Sequence, residues 1–241
     1  MSDDQIRQFV KENRLRGEEK SSFDFHFDRF NQVIKYLKEI YSMKNKKNPK
    51  LLDVCSGPLH LSSISSLLGF KVYALDLGDV LNSKRIKQRA KHYNITLNTC
   101  NLAKEPIHYR GNSFDVATMF EALEHFNFNP VPIIKEIHRV MRPRGIFVLT
   151  TPNLFRLGNK IRILFNKHED ISIEHPVVGH WREYSGKEIS KLMELGGFKK
   201  YKITYFNYYI PRNNKIVKLL KKIMTFIFPS LSGDILVIAE K

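Results

Sequence analysis

Apolar positions change period several times along this chain, and the changes divide it into elements. From Phe23 to Met43 they recur at helical spacing (Phe30, Val33, Ile34, Leu37, Ile40, Tyr41), which predicts an amphipathic helix ended by the polar run 44–50. Residues 1–22 hold five acids and five bases with little periodicity and read as a solvated arm or frayed helix. Short apolar runs then alternate with helical stretches. The runs 51–55, 71–76, 96–100, 114–120 and 145–151 predict strands, and 59–68, 80–93 and 131–141 predict helices. That alternation implies βαβ units, hence an α/β, doubly wound, mostly parallel sheet with helices on both faces. Beyond Pro152 the pattern loosens. A short helix is expected within 154–180, Ser185 reads as the N-cap of a helix ending at Gly196-Gly197, and strands are expected at 198–206 and 234–240 around a helix near 213–228.

Composition narrows the class more than the chemistry. The chain has 241 residues, 42% of them hydrophobic, which excludes a disordered chain and suits one sizeable domain. We expect an N-terminal helical extension over 1–45 and one domain over 46–241, with substrate-side insertions at 154–184 and 207–232. Two cysteines, Cys55 and Cys100, cannot build a disulfide framework. There is no apolar run of signal-peptide length near the start, and no stretch approaches the ~20 apolar residues of a membrane span. The expectation is a reduced, cytoplasmic protein. Its net charge of +16 points to an anionic neighbour, nucleic acid or a membrane surface.

The first strand and its turn carry the candidate chemistry: Leu-Leu-Asp-Val-Cys-Ser-Gly-Pro-Leu, 51–59. A small-residue turn between strand and helix lets backbone amides approach a ligand. Twenty-three residues after Asp53 the second strand ends in Asp76, where an acid accepts hydrogen bonds from the two hydroxyls of a ribose. Cys55 lacks an identifiable basic partner and reads as a small buried hydrophobe.

With those residues in place, further pieces follow in order: Asn101-Leu102, Ser-Phe-Asp-Val at 113–116, Glu-Ala-Leu-Glu-His at 121–125, and His-Arg-Val-Met-Arg-Pro-Arg-Gly at 138–145. Thr-Thr-Pro-Asn at 150–153, His-Trp-Arg-Glu-Tyr-Ser at 180–185 and Gly-Gly-Phe at 196–198 complete the set. The chain thereby resembles the class I S-adenosylmethionine-dependent methyltransferases, in particular their type 11 and type 23-like branch. The resemblance implies a seven-stranded Rossmann-like sheet whose last strand is antiparallel and inserted beside the sixth. It implies S-adenosyl-L-methionine as cofactor, with Cys55, Ser56 and Gly57, after Asp53, against the methionine part. Asp76 would hold the ribose, Leu77, Asn101 and Leu102 would face the adenine, and the backbone near Phe120 would close over the cofactor. The chain departs from the family's glycine turn, since Cys55 and Leu59 stand at its first and third glycine positions.

For transfer to a hydroxyl, a base with a pKa near 7 is useful. His125 is the first candidate and His180 the second, with Glu121 beside the cofactor and Tyr184 orienting substrate. If 121–125 is helical, Glu121, Glu124 and His125 share one face and could meet a metal or a substrate. Similar spacing binds a divalent cation in the small-RNA 3′-terminal 2′-O-methyltransferases and the ubiquinone-biosynthesis O-methyltransferases. The former also have a later His, echoed by His175 or His180. We read the cluster without a metal, as a helix cap and substrate pocket.

Segment 187–222 holds ten Lys or Arg against two acids, a surplus of eight. On a helical wheel of 213–228, Lys215, Lys218 and Lys222 oppose Ile216, Leu220, Ile223 and Ile227. The expected partners are a small or lipid-linked acceptor and a peripheral contact with the inner membrane face through 213–228. Nucleic acid is less favoured, and oligomeric state is not legible. The expected function is O-methylation of such an acceptor. The alternatives are a metal-assisted RNA 2′-O-methyltransferase and a non-catalytic remnant of the cofactor fold acting as a basic binding module.

Overall fold

The continuous apolar runs become the strands of one sheet. The computed structural model describes residue 9 and residues 17–44, 47–165, 180–207 and 215–241. Seven strands, β1 (Lys50–Val54), β2 (Lys71–Asp76), β3 (Thr96–Thr99), β4 (Phe114–Phe120), β5 (Met141–Pro152), β6 (Lys200–Phe206) and β7 (Asp234–Glu240), stand in the order β3-β2-β1-β4-β5-β7-β6. The first five run parallel, and β7 lies antiparallel between β5 and β6. Both β1 and β4 are buried at all but one position, as strands covered on both faces must be.

The helices are α1 (Gly17–Lys44), α2 (His60–Leu67), α3 (Gly78–Leu81), α4 (Lys84–His92), α5 (Val131–Val140), α6 (Leu157–Leu164), α7 (Gly186–Leu195) and α8 (Lys215–Ile227). Alternation along the strands sends neighbours to opposite faces. Leu52 and Val54 meet Ile133, Ile137 and Ile189 of α5 and α7, whereas Leu51 and Val72 meet Phe30, Val33 and Ile64 of α1 and α2. Ser185 caps α7 by a capping box with Glu188, as the sequence predicts.

Three expectations change. The predicted arm 1–22 is not wholly solvated. α1 begins at Gly17, and Phe9 is fully buried, its ring 5.3 Å from Phe23 and 5.5 Å from His60. The helix predicted over 80–93 is two helices, because Ser83 adopts an extended backbone and caps α4 by accepting from Ile86 N. One base of α4 is not solvated: Arg89 is buried, meets Glu19 at 2.8 Å and donates to the Pro58 carbonyl at 2.5 Å. β5 starts at Met141, earlier than predicted.

No helix among the described residues is long and apolar enough to cross a membrane. On α8, Lys222 is exposed as expected, but so are Ile223 and Ile227. The side chains of Lys215, Ile216, Lys218 and Leu220, and His175 with most of the loop before His180, lie outside the described residues.

Candidate active site

Strand order reverses between β1 and β4, so a crevice opens at the carboxyl ends of these two strands. The turn after β1 keeps a glycine-type backbone although only one of its residues is glycine. Cys55, Gly57 and Leu59 all have positive φ, at 57°, 49° and 62°. A β-carbon in that region costs about 1–2 kcal/mol, so the turn is held from outside. The Asp76 carboxylate accepts from Gly57 N and Leu77 N, both at 2.7 Å, and Ser56 N donates to Leu75 O at 3.2 Å. Burial pushes the Asp76 pKa up against these two backbone donors. Asp53 is engaged differently: its buried carboxylate accepts from Ser62 Oγ at 2.6 Å and Thr118 Oγ1 at 2.7 Å, tying β1 to α2 and β4. Burial raises it to about 6. Burial, then the carboxylates of Asp76 and Asp53, push the Cys55 thiol well up, which keeps it protonated and unreactive.

Two cavities meet at this turn. The larger, of about 610 Å³, has Asp76, Leu77, Asn101, Leu102 and His125 in its wall. The smaller, of about 160 Å³, lies between α1 and the turn, walled by His26, Ser56, Gly57, His60 and Phe120. Cys55 and Glu121 line both. Phe120 is fixed by stacking on Phe30 of α1, with centroids 4.6 Å apart and planes at 7°.

Around the smaller cavity, Arg29 is buried among acids. Its guanidinium holds Asp234 through two hydrogen bonds of 2.8 and 3.1 Å, and its Nε lies 3.0 Å from Glu121 Oε2. A third nitrogen donates to His26 Nδ1 at 3.0 Å. Burial raises Glu121 to about 7, with Arg29 opposing, and raises Asp234 to about 8, helped by Glu121. Burial, then the Arg29 charge, lowers His26 to about 3, so its Nδ1 is a free acceptor for Arg29. Burial and Arg89 likewise hold His60 at about 3, despite Glu19 Oε1 at 3.1 Å from its Nε2.

The helical turn expected for 121–125 is not formed. Glu121 has φ 48°, and only Leu123–His125 make a short 3-10 turn. Glu121 thus meets Arg29, while Glu124 and His125 come within reach of His180. The Glu124 carbonyl accepts from Trp181 N at 2.8 Å and Arg182 N at 3.2 Å, which lays residues 180–182 on the turn. The rings of His125 and His180 meet edge-on with centroids 5.1 Å apart. One ligand atom from each of Glu124, His125 and His180 lies within 4.8 Å of the other two. Glu124 is buried, accepts from Thr151 Oγ1 at 3.0 Å and is raised by burial to about 8. Tyr184 stands apart: its ring is buried in the core shared with α5 and α7, and it lines neither cavity.

A family profile described as a methyltransferase domain matches residues 25–203. The chain belongs to the class I S-adenosylmethionine-dependent methyltransferases. A "probable S-adenosylmethionine-dependent methyltransferase" of Mycolicibacterium smegmatis is 32% identical over 46% of this chain and 38% of its own length. A demethylmenaquinone methyltransferase of Geobacillus stearothermophilus is 33% identical over 54% of this chain and 61% of its own. The chain thus spans less than two thirds of either relative. In fold, it is similar to an S-adenosylmethionine-dependent methyltransferase from Archaeoglobus fulgidus (TM-score 0.61, 15% identity, 97% of this chain and 99% of that one). It is also similar to phosphoethanolamine N-methyltransferase 2 of Haemonchus contortus, solved with S-adenosyl-L-methionine (TM-score 0.58, 14% identity, 90% and 56%).

The residues present fit the cofactor of this methyltransferase family. Ser56 Oγ and Glu121 Oε1 are buried with no hydrogen-bond partner among the described residues, one in the wall of the smaller cavity and the other at the neck. Unmatched buried polar atoms of this kind suit a ligand with polar ends. When bound, the cofactor supplies a methyl already activated on a sulfonium. Sequence reasoning missed the groups that α1 brings to the smaller cavity and its surroundings, above all His26 and Arg29. Their signal was available: positions 26 and 29 each lie four residues before an apolar-stripe position, 30 and 33, so polar groups there face inward.

Proposed function

We propose that this protein transfers the methyl group of S-adenosylmethionine to a hydroxyl oxygen of a small or lipid-linked acceptor, the lipid-linked class being favoured. The observation that carries this reading is the pair of cavities joined at Cys55 and Glu121, with His125 in the wall of the larger one. Asp76 would accept from the ribose hydroxyls, Leu77 and Leu102 would cover the adenine, and Ser56 and Gly57 would meet the amino-acid end. Transfer needs mainly an aligned nucleophile. His125 takes the hydroxyl proton as the new O–C bond forms and the S–C bond breaks, and His180, edge-on to it, steadies the ring. A lipid-linked acceptor is supported by the surface. Ten of the fifteen exposed large apolar side chains among the described residues fall in 155–165 and 219–228. Lys160, Arg162 and Lys222 lie among them. Both segments flank the end of β5 and start of β7, where Asn153 Nδ2 donates to Ser230 O and Ser232 O at 2.8 Å. Exposed apolar side chains with lysine and arginine suit an anionic bilayer surface.

Calorimetry with S-adenosylhomocysteine tests the cofactor half of this reading. Micromolar binding that Asp76→Ala abolishes is expected, and binding that survives the substitution rejects the reading. Flotation with anionic vesicles tests the acceptor half, which fails if the vesicles do not retain the protein.

A second reading, metal-assisted methylation of an RNA 2′-hydroxyl, is favoured by one observation, the convergence of Glu124, His125 and His180. Full activity after exhaustive chelation rejects it, and salt-dependent retention on RNA but not on vesicles supports it.

A further inference from the structure

We propose that Glu121 is the counter-charge of the cofactor's sulfonium, a specificity-determining residue that separates the cationic cofactor from its neutral thioether product. The inference rests on the methyltransferase reading and concerns how that same cleft tells fresh cofactor from spent.

Three observations converge. The first is position. The sulfur of S-adenosylmethionine is the atom that joins its adenosyl half to its amino-acid half. The cleft is likewise two cavities, a larger one containing Asp76 and Asn101 and a smaller one containing Ser56 and His26, and Cys55 and Glu121 form the neck between them. A ligand with one half in each cavity has its sulfur at that neck. Of the two neck residues, the cysteine is a protonated thiol, so Glu121 is the group that can carry charge there.

The second is an unmet valence. The Glu121 side chain is 6% exposed, and its Oε1 accepts no hydrogen bond from any described residue. Its other oxygen, Oε2, is the one that meets Arg29. The carboxylate therefore presents one committed oxygen to α1 and one uncommitted oxygen in a buried setting, where an unpaired acceptor is costly.

The third is charge balance. Arg29 is shared between carboxylates: Asp234 holds its Nε and a terminal nitrogen, and that same Nε lies 3.0 Å from Glu121 Oε2. Glu121, Asp234 and the buried Glu124, which feels the same guanidinium, leave negative charge in excess over Arg29. Without a cation, protons remove the surplus, in keeping with the raised pKa values of all three acids. A sulfonium at the neck offsets one of these charges without a proton. The alternation has a use in turnover. Transfer of the methyl converts the sulfonium to a neutral thioether, the ion pair is lost, and the product is released from a site that again prefers a cation.

The test is a pair of titrations on the intact protein. S-adenosylmethionine and S-adenosylhomocysteine are titrated by calorimetry into wild type, Glu121→Gln and Glu121→Asp, without acceptor. Glu121→Gln is expected to weaken the cationic ligand at least about tenfold more than the neutral one, a loss of over ~1.4 kcal/mol in their difference. Glu121→Asp, which keeps the charge, is expected to hold the ratio of the two affinities within about threefold of wild type. Equal losses for the two ligands in Glu121→Gln, or no loss, would overturn the proposal. If Glu121→Gln does not fold, as judged by its melting transition, the paired variant Arg29→Gln/Glu121→Gln takes its place with the same expected fall in the ratio. An unchanged ratio there is equally fatal. Failure of wild type to bind either ligand would reject the methyltransferase reading itself, which separates the two outcomes.

Discussion

The two cavities that meet at Cys55 and Glu121 are built in opposite ways. The larger one is local: Asp76, Leu77, Asn101 and Leu102 sit at or just after the ends of adjacent strands β2 and β3, held by bonds such as Leu77 N to Asp76. The smaller one is assembled from afar, by α1 laid across the turn after β1, with Arg29 joining Asp234, 205 residues away. The first is wide and lined by half-exposed groups; the second is narrow and contains buried charge. Strand ends place a ligand cheaply, because sheet pairing already fixes them. Long-range closure needs strong, directional contacts, and Arg29 supplies them.

The sharpest way to break this contrast is to remove that contact. Arg29→Met would leave Glu121 and Asp234 buried without their counter-charge, and breaking a buried pair in this way typically costs about 3–5 kcal/mol. Urea denaturation should register a loss of that size. A loss under about 1 kcal/mol would show that α1 is held by apolar packing alone.

On the larger cavity, His125→Ala should lower kcat by about 10²-fold or more while leaving S-adenosylhomocysteine affinity within about twofold. A parallel fall in both would assign His125 to cofactor binding.

The turn shared by the cavities offers a signed comparison. Cys55 and Leu59 have nearly the same φ, but Leu59 is fully buried and Cys55 is not. Leu59→Gly should therefore destabilise by about 2–4 kcal/mol through the lost side chain, despite relief of strain. Cys55→Gly should fall within about 1 kcal/mol of wild type, on the stabilising side, since relief outweighs the added freedom of the unfolded chain. Thermal melts of the two variants read the difference.

The buried groups around the smaller cavity also make stability depend on pH in two windows. His26 and His60 are lowered to about 3 in the folded protein. They bind fewer protons folded than unfolded, so their contribution is present above the unfolded value near 6.5 and is lost as pH falls towards 3. Glu121, Asp234 and Glu124 are raised to about 7, 8 and 8. They bind more protons folded, so their contribution is present below about 4 and is lost as pH rises to 8. Three raised acids outweigh two lowered histidines through most of the overlap, so the urea midpoint should pass through a maximum at about pH 4–5 and fall from there towards 8. A midpoint that stays flat from pH 4 to 8 would contradict the burial of these groups. The smallest expected effect is a shallower acid limb in His60→Phe.

Much of this was legible in advance. The strands at 71–76, 114–120 and 234–240 follow from apolar runs at the predicted positions, and Ser185 is the N-cap that the sequence predicts, with the structure adding its box with Glu188. Where reading failed, a long-range contact or a local side-chain bond had overridden the pattern. Ser83 splits a helix that periodicity runs together, and Glu121 leaves the helical turn that its spacing with Glu124 and His125 suggests. Phe9 looked like part of a solvated arm because its neighbours are charged, whereas its contacts, Phe23, His60 and Tyr93, come from α1 and beyond.

The sequence by itself determined the doubly wound sheet, the turn at 55–59 and the acid at Asp76, because strand runs, small turn residues and strand-end acids are properties of short segments. Only the tertiary structure decided which groups close the site. Arg29, His26 and Asp234 come together through the packing of α1 on the sheet, and His180 reaches His125 through the Glu124 carbonyl. The physical reason is that the low-dielectric environment which makes these charges matter exists only after distant segments have excluded water from between them.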